Sequence, residues 1–239
     1  MLIIPAIDLL GGKVVRLVEG KRDRATVFSD QPGEIARKFA QAGASRIHVV
    51  DLDGAFNGAP ENRRAVAEIL AAGLPVQVGG GVRDRATCER LVAEGVERLV
   101  LGTAAVKDPA FVAGICRELP GRIVVAVDAR DGKVAVEGWA ELTSVDAFEL
   151  AATVVKQGAA AVLYTDISRD GTGVGPNVEA SARLARALHP TPVIASGGIG
   201  TLQHLRALAQ AGVPQCVVGR ALYDGVFTVE EAVHAAVAR

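Results

Sequence analysis

The chain has 239 residues, 50% of them hydrophobic and 22% charged, enough to bury a large core as one big α/β domain or two small ones. A formal net charge of -1, no basic stripe and only 4% aromatics argue against nucleic acid or a membrane surface as partner. The opening MLIIPAIDLL lacks a positive leader and is interrupted by Pro5 and Asp8, so neither a signal peptide nor a membrane span is expected. Cys88, Cys116 and Cys216 are widely spaced and read as small buried residues of a reducing, cytoplasmic compartment.

In chain order, Val- and Ile-rich runs predict strands at 2–7, 46–50, 75–78, 98–101, 122–127, 160–165, 192–195 and 215–218. Helical patterns alternate with them at 32–42, 60–72, 84–94, 108–118, 145–157, 177–188, 202–211 and 229–238, with Asp108-Pro109 and Thr201 as entries and Gly43, Gly73, Gly95, Gly158 and Gly212 as exits. Eight βα units predict a closed (β/α)8 barrel, a single domain over 1–239; a doubly wound open sheet is the alternative. Three connections are long. Residues 9–31 contain GGKVVRLVEG, which alternates like a small hairpin, and 129–144 hold its counterpart DGKVAVEG. Residues 166–176 carry the glycine-rich RDGTGVG, able to open and close.

The chain repeats itself. Shifting 75–106 by 117 residues gives 10 identities in 32 positions, among them Pro75/Pro192, Gly80/Gly197, Gly81/Gly198, Gly95/Gly212 and Gly102/Gly219. Identities that fall on punctuation residues indicate an internal duplication, so the barrel is expected to consist of two half-barrels. Asp8, in AIDLLGGKVVRL, and Asp128, in AVDARDGKVAVEG, end the first and fifth strands. In a barrel those strands face each other, which puts two carboxylates across the mouth, one to take a proton and one to give it. Capping of loop backbone is the competing reading for either Asp alone.

The third, fourth, seventh and eighth strands end in Gly79-Gly80-Gly81, Leu101-Gly102-Thr103, Ser196-Gly197-Gly198 and Val218-Gly219-Arg220. Each neighbouring pair can build a phosphate grip from bare backbone N–H groups, and the duplication supplies two grips on opposite rims. An elongated ligand phosphorylated at both ends fits this plan, and Gly81→Val and Gly198→Val are expected to weaken its binding; close helix–strand packing is the bland reading. Asp51, Asp53, Thr165, Asp166 and Asp170 cluster after the second and sixth strands, where they can hold Mg²⁺, a polyol or loop backbone. His48 lies in an apolar strand, where a satisfied core histidine is the commoner outcome, and His189, His204 and His234 form no ligand cluster.

The segments IIPAIDLLGGKVVRL, HVVDLDGAFNG, VGGGVRD, YTDISRDGTGVG, ASGGIGT and VVGRALY closely resemble the ProFAR isomerases of histidine biosynthesis, over essentially the whole chain. The resemblance implies a duplicated (β/α)8 enzyme that turns an aminoaldose into an aminoketose by an Amadori rearrangement, on a substrate with two phosphates and with no metal or organic cofactor. It implies Asp8 as proton acceptor, Asp128 as proton donor and Thr165 as a supporting polar residue. It implies phosphate and substrate contacts at Gly80, Gly81, Gly102 and Thr103 on one side, and at Asp170, Gly171, Gly173, Gly197, Gly198, Gly219 and Arg220 on the other. Trp139 falls in a loop that family members fold over the substrate, to stack on the imidazole ring or to plug its own loop.

Three alternatives stay open at this point. The cyclase subunit of imidazole glycerol phosphate synthase shares the plan, but usually carries a Cys before the Leu-Asp of its first strand; this chain has Ala6-Ile7-Asp8. A dual-substrate relative that also isomerises phosphoribosylanthranilate uses arginine in the loop after the fifth strand, and here 131–148 holds none. A non-catalytic phosphate-binding barrel would need the glycines and neither carboxylate. A cytoplasmic monomer acting on a small bisphosphorylated sugar is the expectation, without nucleic acid or membrane.

Overall fold

The computed structural model describes residues 1–18 and 21–237, the side chains of 18 and 21–24 excepted. Its first half runs β1 (Leu2–Leu10), β2 (Lys13–Val18), β3 (Lys21–Ser29), α1 (Pro32–Gln41), β4 (Ile47–Asp51), α2 (Leu52–Asn57), α3 (Arg63–Leu70), β5 (Val76–Gly79), α4 (Arg85–Ala93), β6 (Arg98–Leu101), α5 (Thr103–Lys107) and α6 (Pro109–Glu118). The second half runs β7 (Ile123–Arg130), β8 (Lys133–Val136), β9 (Glu141–Asp146), α7 (Ala147–Lys156), β10 (Ala161–Asp166), α8 (Val178–Ala187), β11 (Val193–Ser196), α9 (Leu202–Gln210), β12 (Gln215–Val218), α10 (Arg220–Tyr223) and α11 (Val229–Ala235).

Eight strands pair in parallel in the order β1-β4-β5-β6-β7-β10-β11-β12, and β12 returns to β1 through Leu2↔Gln215 to Pro5↔Val218. The sheet is therefore closed, as the eight βα units predict, and β1 and β7 stand opposite each other. Alternation along the strands sorts their side chains. Ile4, Ala6, Val100, Val124, Ala161, Leu163, Ile194 and Val217 meet as one cluster in the lumen, while Ile3, Ile7, Val49, Val78 and Leu99 pack outward under the helices. Asp8 is the next inward position after Ile4 and Ala6, Asp128 after Val124 and Ala126, and Thr165 after Ala161 and Leu163. The inward parity that builds the core thus delivers polar groups to the mouth.

The duplication is visible in the backbone itself. β5, α4 and β6 map onto β11, α9 and β12 at a shift of 117 with identical bounds. Asp84 caps α4 at φ -144°, ψ 164°, and Thr201 caps α9 at φ -147°, ψ 160°. Each accepts a hydrogen bond from the backbone three residues on, satisfying an otherwise orphaned donor. Gly95 and Gly212 follow those helices at φ 101° and 82°, left-handed values that end a helix without Cβ strain.

The differences from the sequence reading have local causes. The helix expected at 60–72 begins only at Arg63, because the N–H groups of Glu61 and Asn62 both donate to Asp51 Oδ2. The helix expected from 145 begins at Ala147, since Val145 and Asp146 finish β9 and Asp146 is the cap. The helix expected at 229–238 ends at Ala235 with Ala236 as its C-cap; residue 238, and Glu19 and Gly20 of the first hairpin stretch, lie outside the described residues. Three short helices, α2, α5 and α10, carry no periodicity of their own and were not expected. No helix among the described residues is long and apolar enough to cross a membrane.

Candidate active site

The two hairpin connections shape the mouth of the barrel. β1 runs on past Asp8 to Leu10, turns at Gly11-Gly12 and pairs antiparallel with β2, so that Asp8 faces Val15 in register. This places Arg16 beside Asp8, where its Nη1 donates to Asp8 Oδ2 at 2.5 Å; both side chains are only 15% exposed. Arg16 was not among the residues singled out from the sequence. The signal was there: one arginine inside VVRLV has to find a counter-charge if that strand is to be covered.

On the far side β7 pairs with β8 and β8 with β9. In the turn between β8 and β9, Glu137, Gly138 and Trp139 take φ of 55°, 63° and 73° in succession. A left-handed tryptophan is costly and persists only where its surroundings hold it. Its Nε1–H donates to Asp128 Oδ2 at 2.9 Å, the backbone N–H of Glu137 donates to Thr103 Oγ1 at 3.0 Å, and the Glu137 carboxylate meets Lys107. Trp139 is therefore tied to the carboxyl in the middle of the mouth, beyond a plug for its own loop. Burial pushes the Asp128 carboxyl above the ordinary range, against the pull of hydrogen bonds from Trp139 and Thr165, its neighbour in register on β10.

Asp170 brings a third carboxyl. Burial pushes it up to about 6; Arg16 pulls the other way, and Asp8 and Asp128 add to the rise. His48, on β4, also lines this cavity, and burial, with Arg16 nearby, lowers it to about 4. The Gln77 amide Nε2 can only donate, so its 2.9 Å bond to His48 Nδ1 leaves the ring proton on Nε2. The histidine is neutral and satisfied on one side, in line with the core reading.

All the residues expected at the site surround one cavity of about 480 Å³, a volume typical of small-molecule sites. They are Asp8, Asp128, Thr165, Gly80, Gly81, Gly102, Thr103, Trp139, Asp170, Gly171, Gly173, Gly197, Gly198, Gly219 and Arg220. The two glycine clusters match in conformation: Gly80 and Gly81 at φ 98° and 75°, Gly197 and Gly198 at 87° and 77°. Gly102 (φ -108°, ψ -89°) and Gly219 (φ -114°, ψ -100°) lead into the short helices α5 and α10 in the same way. Arg220 spans from α10 to the glycine-rich loop, with Nη1 donating to the Gly171 carbonyl at 2.5 Å.

Packing explains part of the glycine pattern. A Cβ at Gly80 would lie 2.0 Å from the Asp51 carbonyl oxygen, one at Gly81 2.7 Å from that of Gly54, and one at Gly198 2.4 Å from that of Gly175. Gly81→Val and Gly198→Val therefore break the backbone packing before they test any anion grip. Gly102 differs, because a Cβ there meets nothing nearer than Ala126 Cβ at 3.8 Å.

The acidic cluster resolves into loop architecture. Asp51 accepts from Gly54 N, Glu61 N, Asn62 N and Asn62 Nδ2, and Asp53 Oδ2 accepts from Gly11 N and Asn62 Nδ2. In the other half Asp166 accepts from Ser168 and from Asn177 Nδ2. Each Asp–Asn pair spans eleven residues and ties the loop after its strand. Among the described residues, no three His, Cys, Asp or Glu side chains are grouped to hold a metal ion. The cysteines are buried and free, and burial raises all three thiols.

Carboxyls from opposite strands at the carboxyl end of a closed barrel, in a cleft bounded by two matched glycine rims, define an acid–base enzyme of the (β/α)8 class. Comparison with known proteins narrows this. The family model described as "Histidine biosynthesis protein" matches residues 2–228. Three similar relatives each carry the name 1-(5-phosphoribosyl)-5-((5-phosphoribosylamino)methylideneamino) imidazole-4-carboxamide isomerase. That of Sorangium cellulosum (strain So ce56) is 53% identical over 99% of both chains. That of Sphingopyxis alaskensis is 53% identical over 99% of this chain and 98% of its own, and that of Rhodospirillum rubrum 52% identical over 97% and 98%. The chain belongs to the histidine biosynthesis protein family.

Proposed function

We propose that this protein is an aldose–ketose isomerase that converts ProFAR to PRFAR in histidine biosynthesis by an Amadori rearrangement, as a cytoplasmic monomer. The observation that carries the reading is the pairing of carboxyls across the mouth, Asp8 on β1 and Asp128 on the opposite β7, each on the strand next to one glycine rim. The name shared by relatives of about half-identical sequence supports the same substrate. One phosphate lies against Gly81, Gly102 and Thr103, the other against Gly198, Gly219 and Arg220, which sets the aminoaldose carbons beneath the carboxyls. A carboxyl acid protonates the ribose ring oxygen as the C1–O bond breaks, giving a Schiff base. Asp8 then takes the C2 proton, and the enolamine tautomerises to the ketose with no net gain or loss of atoms. Trp139 closes the middle of the site against water and offers a face to the imidazole ring.

Two residues compete for the acid. Asp128 has the position and burial raises its carboxyl too, though hydrogen bonds from Trp139 and Thr165 work against that rise. Asp170 is pushed up to about 6 and so keeps a protonated fraction near neutral pH, which favours it as donor, with Asp128 holding Trp139.

A turnover assay of the purified protein on ProFAR, run beside phosphoribosylanthranilate, tests the function. Conversion of ProFAR alone is expected. No conversion of ProFAR, with intact folding, ends the reading, and equal conversion of both points to the dual-substrate relative. For the rims, Gly102→Ala keeps the parent's thermal midpoint and weakens binding of a bisphosphate product analogue about 10-fold, the scale of one lost or lengthened charge-assisted hydrogen bond. Unchanged affinity by calorimetry would remove Gly102 from the anion grip.

A further inference from the structure

Tyr223 takes no part in the chemistry above, yet it touches the residue that holds Asp8. Its hydroxyl donates to the Ala6 carbonyl at 2.8 Å, and Arg16 Nη2 donates to the same oxygen at 3.2 Å. The Arg16 guanidinium carbon stands 5.0 Å from the Tyr223 ring centroid, in cation–π contact. The ring is itself wedged, with Phe28 tilted against it at 5.0 Å and Phe39 edge-on at 6.1 Å. Gly219 walls the other side, because a Cβ there would lie 2.3 Å from Arg16 Nη2. Among the described residues, Arg16 Nε has no hydrogen-bond partner. The guanidinium therefore rests on the Tyr223 face, the Ala6 carbonyl and Asp8, with the Asp170 carboxyl also near it, and the first two of these supports belong to or are shared with Tyr223.

We propose that Tyr223 is a positioning residue, which holds Arg16 and through it the Asp8 carboxylate in the orientation needed for proton transfer. An arginine freed of that platform has many rotamers, and a carboxylate that follows it is displaced from the reacting carbon. Tyr223 ends α10, whose first residues form the second glycine rim, so the same one-turn helix faces a ligand at one end and braces the base at the other. The proposal rests on the reading of Asp8 as proton acceptor.

The test is a double-mutant cycle on kcat and KM for ProFAR with Tyr223→Leu, Tyr223→Phe and Arg16→Met, and with Asp8→Asn as a separate arm. Tyr223→Leu is expected to lower kcat about 10- to 100-fold with KM within about threefold, the scale of a misplaced reacting group. Tyr223→Phe keeps the platform, loses one hydrogen bond and restores most of that turnover, to within about threefold of the parent. In the Arg16→Met background neither Tyr223 substitution has a further effect, which a general packing role would not produce. Parental kcat in Tyr223→Leu, or effects that multiply with Arg16→Met, would overturn the proposal. Should Tyr223→Leu not fold, Tyr223→Met, which fills the wedge between Phe28 and Phe39 but offers the guanidinium no ring face, takes its place in the cycle with the same expected and overturning outcomes. If Asp8→Asn turns over at the parental rate, the base assignment fails instead, and the two failures are told apart.

Discussion

Asp8→Asn lowers kcat on ProFAR about 10³-fold and leaves the affinity for a bisphosphate product analogue within a few-fold of the parent. The amide has nearly the shape of the carboxylate but cannot accept the C2 proton, and general-base catalysis is worth about 10²–10⁴. Arg16 loses a charged partner, yet it keeps the Ala6 carbonyl and the Tyr223 ring, so the mouth retains its shape. β1 pairs directly with β12 of the second glycine rim, but the substitution keeps the side chain's size and leaves the rim backbone on β5, β6, β11 and β12 unaltered, so binding survives. Single-turnover kinetics beside calorimetric titration reads both halves of this expectation. Parental turnover in the variant would sink the acid–base mechanism, whatever became of the phosphate sites.

Asp170→Asn is expected to be the second severe loss, about 10²- to 10³-fold in kcat, and it comes with a sign in stability that few catalytic substitutions share. The folded-state carboxyl is raised from 3.8 to about 6, chiefly by burial. Such a group contributes stability that is fully present below the unfolded value near 4 and is lost as pH rises through about 6, because the folded protein binds the extra proton in that window. Discounted for the side chain's partial access to the mouth, the loss amounts to about 2 kcal/mol. Asp170→Asn removes the titration, so its thermal midpoint exceeds the parent's at pH 8 and matches it at pH 4. The alkaline limb of kcat/KM, near 6 in the parent, is absent from the residual activity of the variant. A variant that turns over normally, while Asp128→Asn does not, would return the donor role to Asp128. The trade is physically natural: a carboxyl kept partly neutral by burial is useful in proton transfer and a cost to folding above its pKa.

How much of this could be read from residues alone varies along the chain. The eight barrel strands were legible because each is covered on both faces and reads as a short, unbroken apolar run; β6 and β12 were expected with their observed bounds. Caps such as Thr201 and exits such as Gly95 were legible because the groups they satisfy are local. The helices α2, α5 and α10 were not, for each is a turn or two long and is set by what packs on it: Asp51 caps α2, and α5 bears the Glu137 turn. The site glycines were read as phosphate grips with close packing as the alternative, and packing is what the structure displays at Gly80, Gly81 and Gly198, which let strands and loops approach within a Cβ's reach. Asp51 and Asp166, for which Mg²⁺, a polyol and loop backbone were all open partners, are ties within their own loops.

The chain's pattern by itself determined the closed barrel, its duplication and the opposition of Asp8 to Asp128, because strand periodicity, helix punctuation and a repeat of 117 residues are properties of order along the backbone. Only the tertiary structure decided that Arg16 holds Asp8, that Tyr223 braces Arg16, that Trp139 reaches Asp128 and that Asp170 is raised to about 6. Those relations depend on which side chains from distant segments share a dry volume, and burial and charge pairing act across space rather than along the chain.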